Sequence, residues 1–184
     1  MSVKGTIYLE ISTYLKQQIP ELKWVDKDRG QLENISNFVF PRPAIFLSFM
    51  RTEYGTIGNN SQKGEGAVRL RIAYENYADS FTGSINQDKA LAFFEFNEKV
   101  YETLQGLSGT HFSPLDRTAD EDDLEHTNII VTIQEYACNF VDDTAVKKKQ
   151  FILTDPDVEV THVKKGTLPD RTPLDDGTFV IADF

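Results

Sequence analysis

An α+β fold built on a mainly antiparallel sheet is predicted from three features of the 184-residue sequence. Two segments space their apolar residues along one face of a helix. One segment alternates apolar and polar residues, the pattern of a strand covered on one side. Further β-branched and aromatic runs outnumber the helical segments, so strands dominate and two amphipathic helices pack on one face of the sheet.

The first helix is predicted over "SVKGTIYLEISTYLKQQIP", where Ile7, Ile11, Tyr14, Leu15 and Ile19 recur at helical spacing. Ser2 is its expected N-cap, and Pro20 ends it because the residue before proline avoids helical dihedrals. "KWVDKD" reads as a short strand and "GQLENISNFVF" as irregular. The run Ala44 to Met50 is short and evenly apolar, which fits a buried strand. "GTIGNNSQKGEG" reads as a flexible, hairpin-like loop rich in turn residues. In "AVRLRIAYENY", Val68, Leu70, Ile72 and Tyr74 share one face, while Arg69, Arg71, Ala73 and Glu75 take the other, outward one.

The second helix is predicted over "NQDKALAFFEFNEKVYETLQGL", capped by Asn86 or Asp88. Its expected apolar stripe is Leu91, Phe94, Val100, Tyr101, Leu104 and Leu107, and Gly106 and Gly109 mark its exit. "NIIVTIQEYACNFVDD" is a long strand, and "KKKQFILTD" and "DVEVTHV" are further ones. Residues 1–154 are thus read as one α+β domain and 155–184 as a C-terminal arm or hairpin.

Composition excludes several functions. The 40% hydrophobic content and 13 Phe predict a folded, aromatic-rich core. A net charge of -10 argues against a groove for nucleic acid phosphates or an anionic membrane surface. The single Cys138 cannot close an intramolecular disulfide or build a Cys-rich zinc site, and reads as a small buried hydrophobe. No apolar run reaches the ~18 residues of a membrane span. No signal peptide is expected either, which suggests a cytoplasmic product with a reduced thiol.

The segment "SPLDRTADEDDLEHTN" sets Asp116, Asp120, Glu121, Asp122, Asp123 and Glu125 against Arg117, with His126 beside them. An EF-hand register fails from either Asp116 or Asp120, since neither places Gly at position 6 and Glu at position 12. Carboxylates serve as an acid/base pair when their environments separate their pKa values, and acids crowded together in water lack that asymmetry. A solvated loop leading into the next strand is the expectation, so neutralising Asp120, Glu121, Asp122 and Asp123 should leave folding nearly intact. A metal-dependent enzyme using residues 116–126 is the minor alternative. His111, His126 and His162 lack H-E-x-x-H spacing, no serine lies in G-x-S-x-G, and the glycine-rich loop fits neither phosphate-binding pattern. No catalytic, cofactor-binding or metal residue is assigned. Arg69 and Arg71, with Asp120, Glu121, Asp122 and Asp123, are the candidate subunit-contact or lumen-facing residues.

The order "IYLEISTYLKQQIPELKWVD", "RPAIFLSF", "AVRLRIAYENY", "ALAFFEFNEKVYETLQGL" and "DDLEHTN" into "IIVTIQEYACNF" resembles the tail-terminator and tail-completion proteins of long-tailed phages. The likeness spans roughly Thr6 to Val141 and rests on the order and character of segments. It implies a non-catalytic, cofactor-free subunit that closes a ring, usually of six, on the tail tube and meets the head connector. It also implies residence in the virion tail, with assembly in the host cytoplasm. Another head-tail adaptor of a prophage is the neighbouring possibility.

Overall fold

The computed structural model describes residues 2–34, 39–75, 78–126 and 129–146. The chain divides into two units, Met1–Lys148 and Lys149–Phe184, and every described residue lies in the first. The strands expected in "KKKQFILTD" and "DVEVTHV" and the C-terminal arm lie outside the described residues.

The α+β expectation holds. The order is α1 (Val3–Gln18), β1 (Trp24–Lys27), β2 (Ala44–Phe49), β3 (Glu53–Gly58), β4 (Ser61–Tyr74), α2 (Gln87–Leu104), β5 (Asp116–Asp123) and β6 (Ile130–Asp142). The strands form one six-stranded sheet, ordered β1-β2-β4-β6-β5, with β3 pairing the outer half of β4. Only the β1–β2 pair is parallel among the described residues.

Helix α1 starts where predicted, with Ser2 Oγ accepting from the Gly5 amide at 3.2 Å. Its stripe of Val3, Ile7, Ile11 and Leu15 is buried against the sheet. Each such side chain contributes roughly 1.5–3 kcal/mol relative to exposure, so an aspartate at Ile11 would strip the helix from the sheet. Both helices cover the face formed by Ile45, Leu47, Val68, Leu70, Ile72, Tyr136 and Phe140.

Helix α2 is rotated relative to its predicted stripe. Ala90, Phe96, Asn97, Val100 and Leu104 are buried, whereas Leu91 is 37% and Phe94 51% exposed. A polar residue in the buried row obscures the pattern. Asn97 is tolerated there because its Nδ2 donates to Thr132 Oγ1 at 2.9 Å; its backbone carbonyl accepts from Gln134 Nε2 at 3.2 Å. Asn86 occupies the N-cap position without a side-chain cap bond, and Gly106, at φ 78°, turns the chain out of the helix.

Two further expectations are corrected. The turn-rich segment after Tyr54 is an ordered hairpin: β3 pairs with Ser61–Glu65 of β4 through a two-residue turn. Asn59 and Asn60 take φ 49° and 61°, left-handed values that asparagine tolerates and that match the twist of a tight hairpin. All six residues of β3 are exposed. Second, the face opposite the helices is covered at one end. Leu32 and Phe40 close over Ala44, Phe46, Ala73, Ile129 and Val131, with the Phe40 and Phe46 rings edge to face at 4.9 Å. Beyond that end the face carries Ser48, Arg69, Arg71, Ile133 and Glu135.

Candidate functional site

The acidic segment is not a loop. Asp116–Asp123 forms β5, the edge strand, antiparallel to β6, with a register shift between Arg117 and Ala119. Charged side chains on an edge strand discourage another chain from pairing there. A strand also sends successive side chains to opposite faces, which splits the acids into two groups.

On the helix face lie Asp120 and Asp122. Asp120 Oδ2 accepts from Arg117 Nη1 at 2.9 Å and from Gln134 Nε2 at 3.4 Å. Asp122 Oδ1 accepts from Thr132 Oγ1 at 3.4 Å. Arg117 also stacks on Tyr101, its guanidinium carbon 3.8 Å from the ring centroid. Beneath them Tyr136 is fully buried and donates to Gln134 Oε1 at 2.8 Å.

On the opposite face, Glu121 and Asp123 border a polar groove of about 530 Å³ that also includes Asp28, Glu33, Ser48, Arg69, Arg71, Glu125 and Ile133. Arg69 pairs across the sheet with Glu135 at 2.6 Å and is one-third exposed. Arg71 departs from its expected outward, solvated position: its side chain is 11% exposed. Its Nη1 reaches Glu33 at 2.5 Å and Asp28 at 3.7 Å, and its Nη2 reaches Asp123 at 2.9 Å. The physical reason is that the β1–β2 connection folds over this face and brings two carboxylates to it. Both arginines are therefore engaged within their own chain. Asp120, Glu121 and Asp122 remain exposed, whereas Asp123 is withdrawn into the Arg71 cluster.

The electrostatics follow this geometry. Burial pushes the Asp123 carboxyl upward, but the hydrogen bonds from Arg71 and the Glu125 amide, with the charges of Arg71 and His126, outweigh it. Its pKa thus lies below the ordinary carboxylate value. Glu33 is lowered in the same way, burial being overcome by Arg71, its own backbone amide and His126. Burial works against the Arg71 cation, and Glu33 and Asp123 reverse that effect and raise it. On β6, burial pushes the Cys138 thiol up to about 11, so it stays a protonated, unreactive thiol.

Among the described residues no group of three His, Cys, Asp or Glu is placed to hold a metal ion. None of their helices is long and apolar enough to cross a membrane. Asp28 and Glu33 carried no sequence signal, because their partner Arg71 lies across the sheet, far along the chain. No protein-family model matches the chain, and no curated protein matches it.

Proposed function

We propose that the protein is a non-catalytic structural subunit of a long-tailed phage or prophage, closing a ring, of six copies, on the tail tube and joining it to the head connector. The observation that carries this reading is the order of elements: a capped helix, strands, a second helix on the same face, then an acidic strand and a long strand. These are the segments on which the family likeness rests. The reading requires no cofactor, nucleic acid groove or membrane attachment, and it places the protein in the virion tail after assembly in the host cytoplasm.

Surfaces suited to subunit contact are supplied by the exposed acids Asp120, Glu121 and Asp122 and by the projecting β3–β4 hairpin, with Tyr54 and Ile57 at its surface. The paired Arg69 and Arg71 contribute by shaping this face instead of presenting free charge. The test is to mix the full chain with a tail tube protein of a long-tailed phage and examine the products by light scattering and negative-stain microscopy. Rings of six on tube ends, with tube growth arrested, are expected. A chain that stays monomeric and leaves tube elongation unchanged refutes the reading; binding to the connector alone would make it another head-tail adaptor.

A further inference from the structure

The sheet has three outer strands, and two of them are guarded against pairing with another chain. β5 carries Asp116, Arg117, Asp120, Glu121, Asp122 and Asp123, and β1 is only four residues long and ends in Asp26 and Lys27. Short edges and charged edges are common safeguards, because the bare backbone of an edge strand is a template for a new strand. β3 has neither. Among the described residues it pairs with β4 alone, runs for six residues without proline or lysine, and has Glu53 as its one charged side chain. Arg51 matches that charge at 3.2 Å. The outer edge is also left clear by the side chains. Tyr54 turns its ring over Gly64, where a Cβ would come within 2.7 Å of it, and a Cβ at Gly55 would meet no neighbouring atom. Tyr54 and Ile57 nevertheless remain 42% and 61% exposed.

We propose that β3 is a docking edge for a second copy of this chain, pairing antiparallel with β3 of that copy about a two-fold axis between Gly55 and Thr56. In this register the strand is complementary to itself. Gly55 stands opposite Thr56 of the second copy and Glu53 opposite its Gly58, so no like charges meet. Tyr54 stands opposite Ile57 of the second copy, and by symmetry Ile57 stands opposite its Tyr54. Aromatic and β-branched residues set across from each other stabilise antiparallel strands. The register shift between Thr56 and Gly58 puts Ile57 out of step with β4 and leaves its side chain for the partner. Main-chain hydrogen bonds across the axis join the two sheets into one. With six residues a side the contact is small, so the pair forms and dissociates readily in the micromolar range. An isologous pair does not by itself close a ring of six. It is a property of the free chain and does not rest on the tail reading.

The experiment is sedimentation velocity of the full chain alone, from about 1 to about 300 µM. A shift from monomer to dimer with rising concentration is expected. Gly55→Lys with Thr56→Lys sets like charges directly opposite each other twice across the axis, and should raise the dimer dissociation constant at least about tenfold. Gly55→Lys with Thr56→Glu sets opposite charges there and should bring the dimer back. A wild type that stays monomeric overturns the pairing and leaves the edge to a strand of another protein. A dimer indifferent to the double lysine substitution, or lost in both variants, overturns it as well. A hexamer indifferent to that substitution also overturns it, while leaving the tail reading in place. If the double lysine variant does not fold, amide exchange at Gly55 and Thr56 of the wild type decides. Protection that grows with protein concentration supports the pairing, and exchange independent of concentration overturns it.

Discussion

Replacing Arg71 by methionine keeps the bulk of the side chain and removes the cation beneath the polar face. Asp123 and Asp28, whose side chains are 10% and 14% exposed, would lose their shared counter-charge; Glu33, 49% exposed, would turn to water. Breaking a fully buried pair by removing one partner costs about 3–5 kcal/mol. Because this groove opens to solvent, a cost of about 2–3 kcal/mol is expected, or a fall in Tm of roughly 5–10 °C for a domain of this size. The pH dependence has a defined sign. Asp123 and Glu33 titrate lower in the folded chain than in the unfolded one. Their contribution is therefore complete above the unfolded carboxylate values, near ~4, and is lost as pH falls through the lower folded values. Urea denaturation of wild type and Arg71→Met at pH 7, and again well below pH 4, measures both effects. Arg71→Met with Asp123→Leu should recover most of the loss, since the charge left most deeply buried is gone. A loss under about 0.5 kcal/mol at pH 7, or one that persists undiminished in acid, would refute the argument.

Three further outcomes follow from the packing. Leu70→Ala, at a fully buried position, should cost about 2–5 kcal/mol in chemical denaturation, whereas Phe94→Ala, half exposed on α2, should cost under about 1 kcal/mol. Tyr136→Phe removes the donor to Gln134 Oε1 in a buried network and should cost about 1–2 kcal/mol, visible as a lowered Tm with unchanged circular dichroism. Asn60→Val forces a β-branched residue to positive φ and should destabilise the chain by more than about 1 kcal/mol, while Asn60→Gly should be neutral or slightly stabilising. A thermal melt of the two Asn60 variants side by side checks the difference.

Local pattern was enough to predict the helix from Val3, with its Ser2 cap, and the strand at Ala44. The alternating Val68, Leu70, Ile72 face and the long strand ending near Asp142 were readable in the same way. In each case burial of one face imposes the period of the element on its own residues. The same logic predicted two helices on one side of a mainly antiparallel sheet. It failed on α2, where Asn97 sits in the buried row because Thr132 on β6 accepts from its side-chain amide.

The candidate site was much less visible. The acids of residues 116–123 were identified, but their crowding suggested solvated loop, because the stretch lacks the apolar alternation of a half-buried strand. Their strand conformation comes from pairing with β6, and backbone hydrogen bonds do not depend on side-chain polarity. Arg71 looked like an outward residue because alternation tells which face a side chain takes and nothing of what later covers that face. Chain folding brings Asp28 and Glu33 over it from one side and Asp123 and His126 from another, contacts 38 to 55 residues apart along the sequence. Residue type and spacing thus specify the elements and their buried faces. The partners of the charges depend on how the connections cross the sheet, and that is set by long-range packing that no short window contains.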